Sequence, residues 1–113
     1  MKYSFRFSNL AEKDLDEIYR YIAVELSNRP AASRLYKRFE QAIDRLRNYP
    51  ESGQLIDNYF TLENRLRKVI IGNYILIYYP NKANSCIEIL RIAYAKRDQN
   101  NIFYGIDKLM ENL

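Results

Sequence analysis

The sequence predicts an α+β fold in which a helical hairpin packs on an antiparallel sheet, in the order β-α-α-β-β-β-α. Three observations carry this. Residues 9–50 repeat their apolar positions at steps of three and four, the helical period. Residues 65–94 replace that pattern with β-branched and aromatic runs broken by tight turns. Strands grouped after a helical hairpin, rather than alternating with helices, indicate an antiparallel sheet. The chain has 113 residues, which is one domain (1–113) and too short for two.

Tyr3, Phe5 and Phe7 alternate with Lys2, Ser4 and Arg6, as in a half-buried strand. Asn9 with Glu12 three residues on reads as a capping box opening the first helix. Its apolar stripe is Ala11, Leu15, Ile18, Ile22 and Leu26. Pro30 suits the first turn of a second helix, whose stripe is Ala32, Leu35, Phe39, Ala42, Ile43 and Leu46 and whose stop is Tyr49-Pro50. The short break at 27–30 predicts an antiparallel helix pair. Residues 51–64, with Ser52-Gly53 inside, read as a loop. Arg65–Ile71 and Tyr74–Tyr79 flank Gly72-Asn73, a two-residue hairpin signal, and Cys86–Tyr94 is a third strand. Ile75-Leu76-Ile77 and Ile89-Leu90 are unbroken apolar runs, which predicts central strands covered on both faces. Ile102, Phe103, Ile106, Leu109, Met110 and Leu113 give a last amphipathic helix, capped at Asn100 or Asn101.

Composition excludes several chemistries. Histidine is absent and Cys86 is the single cysteine, so Ser-His-Asp triads, Cys-His dyads, intrachain disulfides and cysteine-based zinc sites are ruled out. The acids fall mostly on the first helix at exposed spacing, so a metal mechanism is set aside and no cofactor is expected. No apolar run reaches a membrane span and the N-terminus lacks a signal-peptide core, so a cytoplasmic, soluble protein is expected.

Charge is segregated. Residues 9–28 hold five acids (Glu12, Asp14, Asp16, Glu17, Glu25) against Lys13 and Arg20. Residues 65–97 hold seven bases (Arg65, Arg67, Lys68, Lys82, Arg91, Lys96, Arg97) against Glu88 alone. Such a split predicts a face that meets an anion or an acidic protein segment. The candidate target-binding or nucleic-acid-binding residues are therefore Arg65, Arg67, Lys68, Arg91, Lys96 and Arg97, because guanidinium forks match phosphate oxygens. On strands joined by a tight hairpin they could converge on one sheet face, with Tyr74, Tyr78, Tyr94 and Tyr104 nearby in sequence. RNA cleavage could proceed without histidine, since the 2′-OH is the nucleophile and a cation can stabilise the transition state.

Four stretches then form a familiar set: 7–18 with Tyr21-Ile22; 42–50 with Gly53; Arg67-Lys68-Val69 through Gly72-Asn73-Tyr74 to Tyr79; and 89–98, ending Tyr94-Ala95-Lys96-Arg97-Asp98. In this order the sequence resembles the RelE/ParE superfamily of toxins from bacterial type II toxin–antitoxin modules, the ParE-like branch in particular. The resemblance implies a helical hairpin on a twisted antiparallel sheet, a cognate antitoxin as partner in a hetero-oligomer, and growth inhibition. It also implies one of two targets. ParE-like toxins act on DNA gyrase, whereas RelE-like toxins cut messenger RNA on the ribosome. The nuclease pattern carries Arg after the tyrosine of the Gly-x-Tyr hairpin, and here that position is Ile75. Arg97 matches the nuclease arginine after the last strand and Tyr104 falls near the C-terminal tyrosine. Arg67, Arg97 and Tyr104 are thus the catalytic candidates if the chain is a metal-independent endoribonuclease. The long first and second helices and Ile75 favour the gyrase-directed branch.

Overall fold

The computed structural model describes residues 2–56, 66–96 and 105–111. Strand β1 (Ser4–Phe7) leads into helix α1 (Asn9–Arg20), which continues as a π-helical turn (Tyr21–Glu25). Helix α2 (Arg29–Asn48) follows, then the short β2 (Gln54–Leu55) and the three long strands β3 (Arg67–Ile71), β4 (Tyr74–Asn81) and β5 (Cys86–Tyr94). A C-terminal helix spans Ile106–Glu111. The sheet order is β1-β5-β4-β3-β2.

The central strands β4 and β5 are buried on both faces, as their unbroken apolar runs require. One face packs Leu76, Tyr78, Ile87, Ile89 and Ile92 against Ala11 of α1 and Leu35, Phe39, Ile43 and Leu46 of α2. The other packs Ile75, Ile77 and Leu90 against Leu66 and against Ile106 and Met110 of the C-terminal helix. A bulge inserts Leu90 opposite the Ile77–Tyr78 step, and this lets Ile89 and Leu90 serve opposite faces while Ile92 returns to the helix side.

Four features differ from the sequence expectation. β1 pairs parallel to β5, with Phe5 opposite Ile87 and Phe7 opposite Ile89, so the sheet is mixed rather than wholly antiparallel. Alternation along a strand fixes its faces but not its direction, and the long connection between β1 and β5 permits either sense. The loop after α2 contains β2, two residues long and without a readable period. The cap of α1 is Ser8, not Asn9: its Oγ accepts from Ala11 N at 3.0 Å. Leu26 is 55% exposed rather than buried. The π-turn, closed by Leu26 N donating to Tyr21 O at 3.0 Å, adds a residue to the turn and rotates the stripe off the core. The predicted caps Asn100 and Asn101 lie outside the described residues.

Candidate target-binding surface

β3 places its two basic residues on opposite faces of the sheet. Arg67 pairs in register with Tyr78 on the helix side, and Lys68 pairs with Ile77 on the other. Arg67 is engaged by the backbone: Nη1 donates to Gly53 O at 2.7 Å and to Glu51 O at 3.0 Å. Beside it, Tyr78 Oη donates to Pro50 O at 2.8 Å and accepts from Gly53 N at 2.9 Å. Burial pushes the Tyr78 phenol above its ordinary range, so it stays protonated at neutral pH and serves as a structural donor rather than a base. Together Arg67 and Tyr78 tie residues 50–54 to the sheet.

The approach at Gly53 is close. A Cβ there would stand 2.6 Å from Tyr78 Oη and 2.9 Å from the backbone oxygen of Lys68. Gly53→Ala is expected to cost about 1–3 kcal/mol in urea unfolding, since Lys68 O cannot withdraw without distorting β3.

Arg91 lies in the row Lys68–Ile77–Arg91 across three strands, about 10 Å from Lys68 at two strand spacings. Its side chain turns to the sheet edge, where Nε and Nη2 meet Asp14 Oδ2 and Oδ1 at 2.9 and 3.1 Å. Asp14 Oδ2 also accepts from Ile92 N at 2.9 Å, and Ser8 Oγ donates to Leu90 O at 2.7 Å. β1 pairs with β5 only as far as Ile89, so these two side chains take over backbone groups of β5 beyond that point. Sequence reading placed Asp14 among exposed helix charges; its partner is 77 residues away and no local spacing reveals it.

Arg6 forms a similar pair, with Nε and Nη2 at 2.7 and 2.6 Å from the two oxygens of Glu88, whose side chain is 3% exposed. Lys82 pairs with Glu51. Lys96, just beyond β5, is exposed. Arg65, Arg97 and Tyr104 lie outside the described residues. The described bases therefore do not converge on one face: Arg67 and Arg91 are engaged within the fold, Lys68 is half-buried on β3, and Lys96 is exposed beyond the end of β5. Ile75 is 8% exposed and packs in the cluster that holds Ile106 and Met110.

A groove of about 560 Å³ opens between α1 and α2, with Phe5, Phe7, Leu15, Tyr19, Tyr36 and Phe39 along it. Tyr19 meets Tyr36 at a tilt and Phe39 edge-on, at 5.7 and 6.3 Å between ring centroids, and burial pushes its phenol up to about 12. The sequence pattern assigns most of these residues to the core stripes or to the first strand, but Phe5 and Tyr36 are 43% and 51% exposed. Among the described residues no helix is long and apolar enough to cross a membrane.

The profile of the ParE toxin of type II toxin–antitoxin systems, parDE, matches residues 5–99. The chain belongs to the ParE toxin family. Solved structures with a similar fold include the chromosomal ParDE toxin–antitoxin system from P. aeruginosa, at 18% identity and TM-score 0.65, covering 84% of this chain and 98% of that one. The archaeal RelE–RelB complex from Pyrococcus horikoshii OT3 matches at 23% identity and TM-score 0.60, covering 87% of this chain and 100% of that one. The RelBE2 toxin–antitoxin complex from Mycobacterium tuberculosis matches at 20% identity and TM-score 0.56, over 83% of this chain and 99% of that one. No curated protein sequence matches this ParE-family chain significantly. The expected superfamily and its α+β architecture are both found.

Proposed function

We propose that this toxin inhibits growth by binding and poisoning DNA gyrase, stalling it on cleaved DNA, rather than by cutting messenger RNA on the ribosome. The observation that carries the reading is Ile75. Where the nuclease pattern places a phosphate-binding arginine, this chain has an aliphatic side chain packed in an apolar cluster. A phosphate brought there would lose its hydration with no donor from that position to replace it. Arg91 in the same sheet already engages the Asp14 carboxylate. The site residues Arg65, Arg67, Lys68, Arg91, Lys96 and Arg97 then act as a binding surface, with Lys96 its exposed member among the described residues. The toxin works in the cytoplasm, without a cofactor.

A cognate antitoxin is the proposed regulatory partner, since the similar structures include toxin–antitoxin complexes. The groove between α1 and α2 suits an amphipathic antitoxin helix: its walls are aromatic and aliphatic, and its rim carries Lys37 and Glu40.

Induction of the toxin, with plasmid supercoiling and transcript 5′ ends followed in parallel, tests the target. The expected result is loss of negative supercoiling and gyrase-linked DNA breaks, without cuts phased to codons. Codon-phased cuts that disappear in Arg97→Ala, with folding intact, would replace this reading by the endoribonuclease.

A further inference from the structure

We propose that the outer flank of α2 is a binding rail for the phosphate backbone of duplex DNA, formed by Arg34, Arg38 and Arg45. The inference does not depend on gyrase as the target. α2 carries six bases (Arg29, Arg34, Lys37, Arg38, Arg45, Arg47) against Glu40 and Asp44.

Arg34, Arg38 and Arg45 recur at steps of four and seven, which keeps them within about 40° of arc on one side of the helix. All three are exposed, and no carboxylate among the described residues pairs with them. Four other arginines already have partners in the fold: Arg6 with Glu88, Arg91 with Asp14, Arg67 with Gly53 O, and Arg47 with Tyr3 O at 2.6 Å. Glu40 and Asp44 line the groove on the opposite flank, so the rail has one sign. Charges of alternating sign would mark this flank as a solvated face laced with salt bridges, and no acid is interleaved with its three arginines.

The scaffold fits a stiff polyanion. Arg34 and Arg45 stand about 16 Å apart along the axis of a 20-residue helix. Duplex DNA carries one charge per ≈1.7 Å of axis, so a segment of that length carries on the order of ten phosphate charges, and the rail meets the few on its own side. Arg38 lies against the β3–β4 turn at Gly72, where a Cβ would come within 2.8 Å of its Nη1; the glycine leaves the guanidinium room there. At the other end, Arg45 borders a shallow depression of about 640 Å³ with Asn48 and Tyr49, and Tyr49 is 67% exposed. Asn and Tyr side chains are ordinary phosphate donors.

Fluorescence anisotropy of the full chain with a 24-base-pair duplex of arbitrary sequence, between 50 and 200 mM KCl, tests the rail. Three phosphate contacts give a slope of log K against log[salt] near −2.7, a loss of roughly 40-fold over that range. Replacing the rail (R34Q/R38Q/R45Q) is expected to remove most of that slope and to weaken binding at 50 mM by at least about tenfold, with each single substitution lowering the slope by about 0.9. K13Q/R20Q/R29Q removes the same charge from elsewhere on the helices and is expected to keep most of the slope. Circular dichroism melts confirm that both triple variants fold. Equal losses in the two triple variants, no measurable duplex binding, or tighter binding to a single-stranded 24-mer RNA would overturn the proposal. Absence of duplex binding together with gyrase-linked breaks in cells would remove the rail and leave the gyrase reading standing.

Discussion

Phe39→Ala is expected to cost about 3–5 kcal/mol, a large part of the ~5–15 kcal/mol that holds a domain of this size together. Phe39 is 2% exposed and sits at the middle of the apolar stripe of α2. Its ring meets Tyr19 of α1 edge-on at 6.3 Å and Tyr74 of β4 at 6.0 Å, so one side chain joins both helices to the sheet. Truncation removes the buried area and leaves a cavity walled by rings that cannot collapse without moving an entire helix. Urea unfolding monitored by circular dichroism measures the loss, and a value under ~1 kcal/mol would show that α2 does not dock through this stripe.

Asp14→Ala is the second large effect, about 3–5 kcal/mol, from breaking a pair whose side chains are 13% and 16% exposed. The carboxylate serves the Arg91 guanidinium and Ile92 N–H together, so its removal costs an ion pair and a backbone bond at the point where β1 leaves β5. Asp14→Asn keeps a neutral acceptor for Ile92 N–H and should recover part of the loss. Replacing both partners by Met should recover more than either single change, because no charge is then left half-buried. A loss below ~1 kcal/mol for Asp14→Ala would show that the edge is held by other contacts.

What the sequence revealed and what it concealed divide along a physical line. The stripe Leu35, Phe39, Ile43 and Leu46 and the runs at 75–77 and 89–90 were legible because burial imposes a short period on them. The direction of β1, the shift of the cap to Ser8, the π-turn that exposes Leu26, and the Asp14–Arg91 pair were not. Each depends on groups brought together across the fold or on one extra backbone residue, and neither leaves a local pattern. The candidate surface is legible as a density of bases at 65–97, but a count cannot separate Arg67 and Arg91, which the fold occupies, from Lys96, which it leaves exposed. The same count passed over α2, whose arginines lie four and seven apart and are diluted in sequence by the apolar stripe between them.

The parallel seam between β1 and β5 has a consequence for synthesis. Ser4 is partnered by Cys86 and Phe7 by Ile89, so β1 waits for a strand that emerges 82 residues after it. Local pieces, the helical hairpin and the β3–β4 turn, can form as they emerge, but closing a loop of this length comes late and slowly. At ordinary elongation rates the chain spends several seconds with the aromatic residues of β1 uncovered and its edge unsealed. A toxin built on this seam closes its sheet only after β5 has emerged, and until then β1 is open to any other chain able to supply an edge.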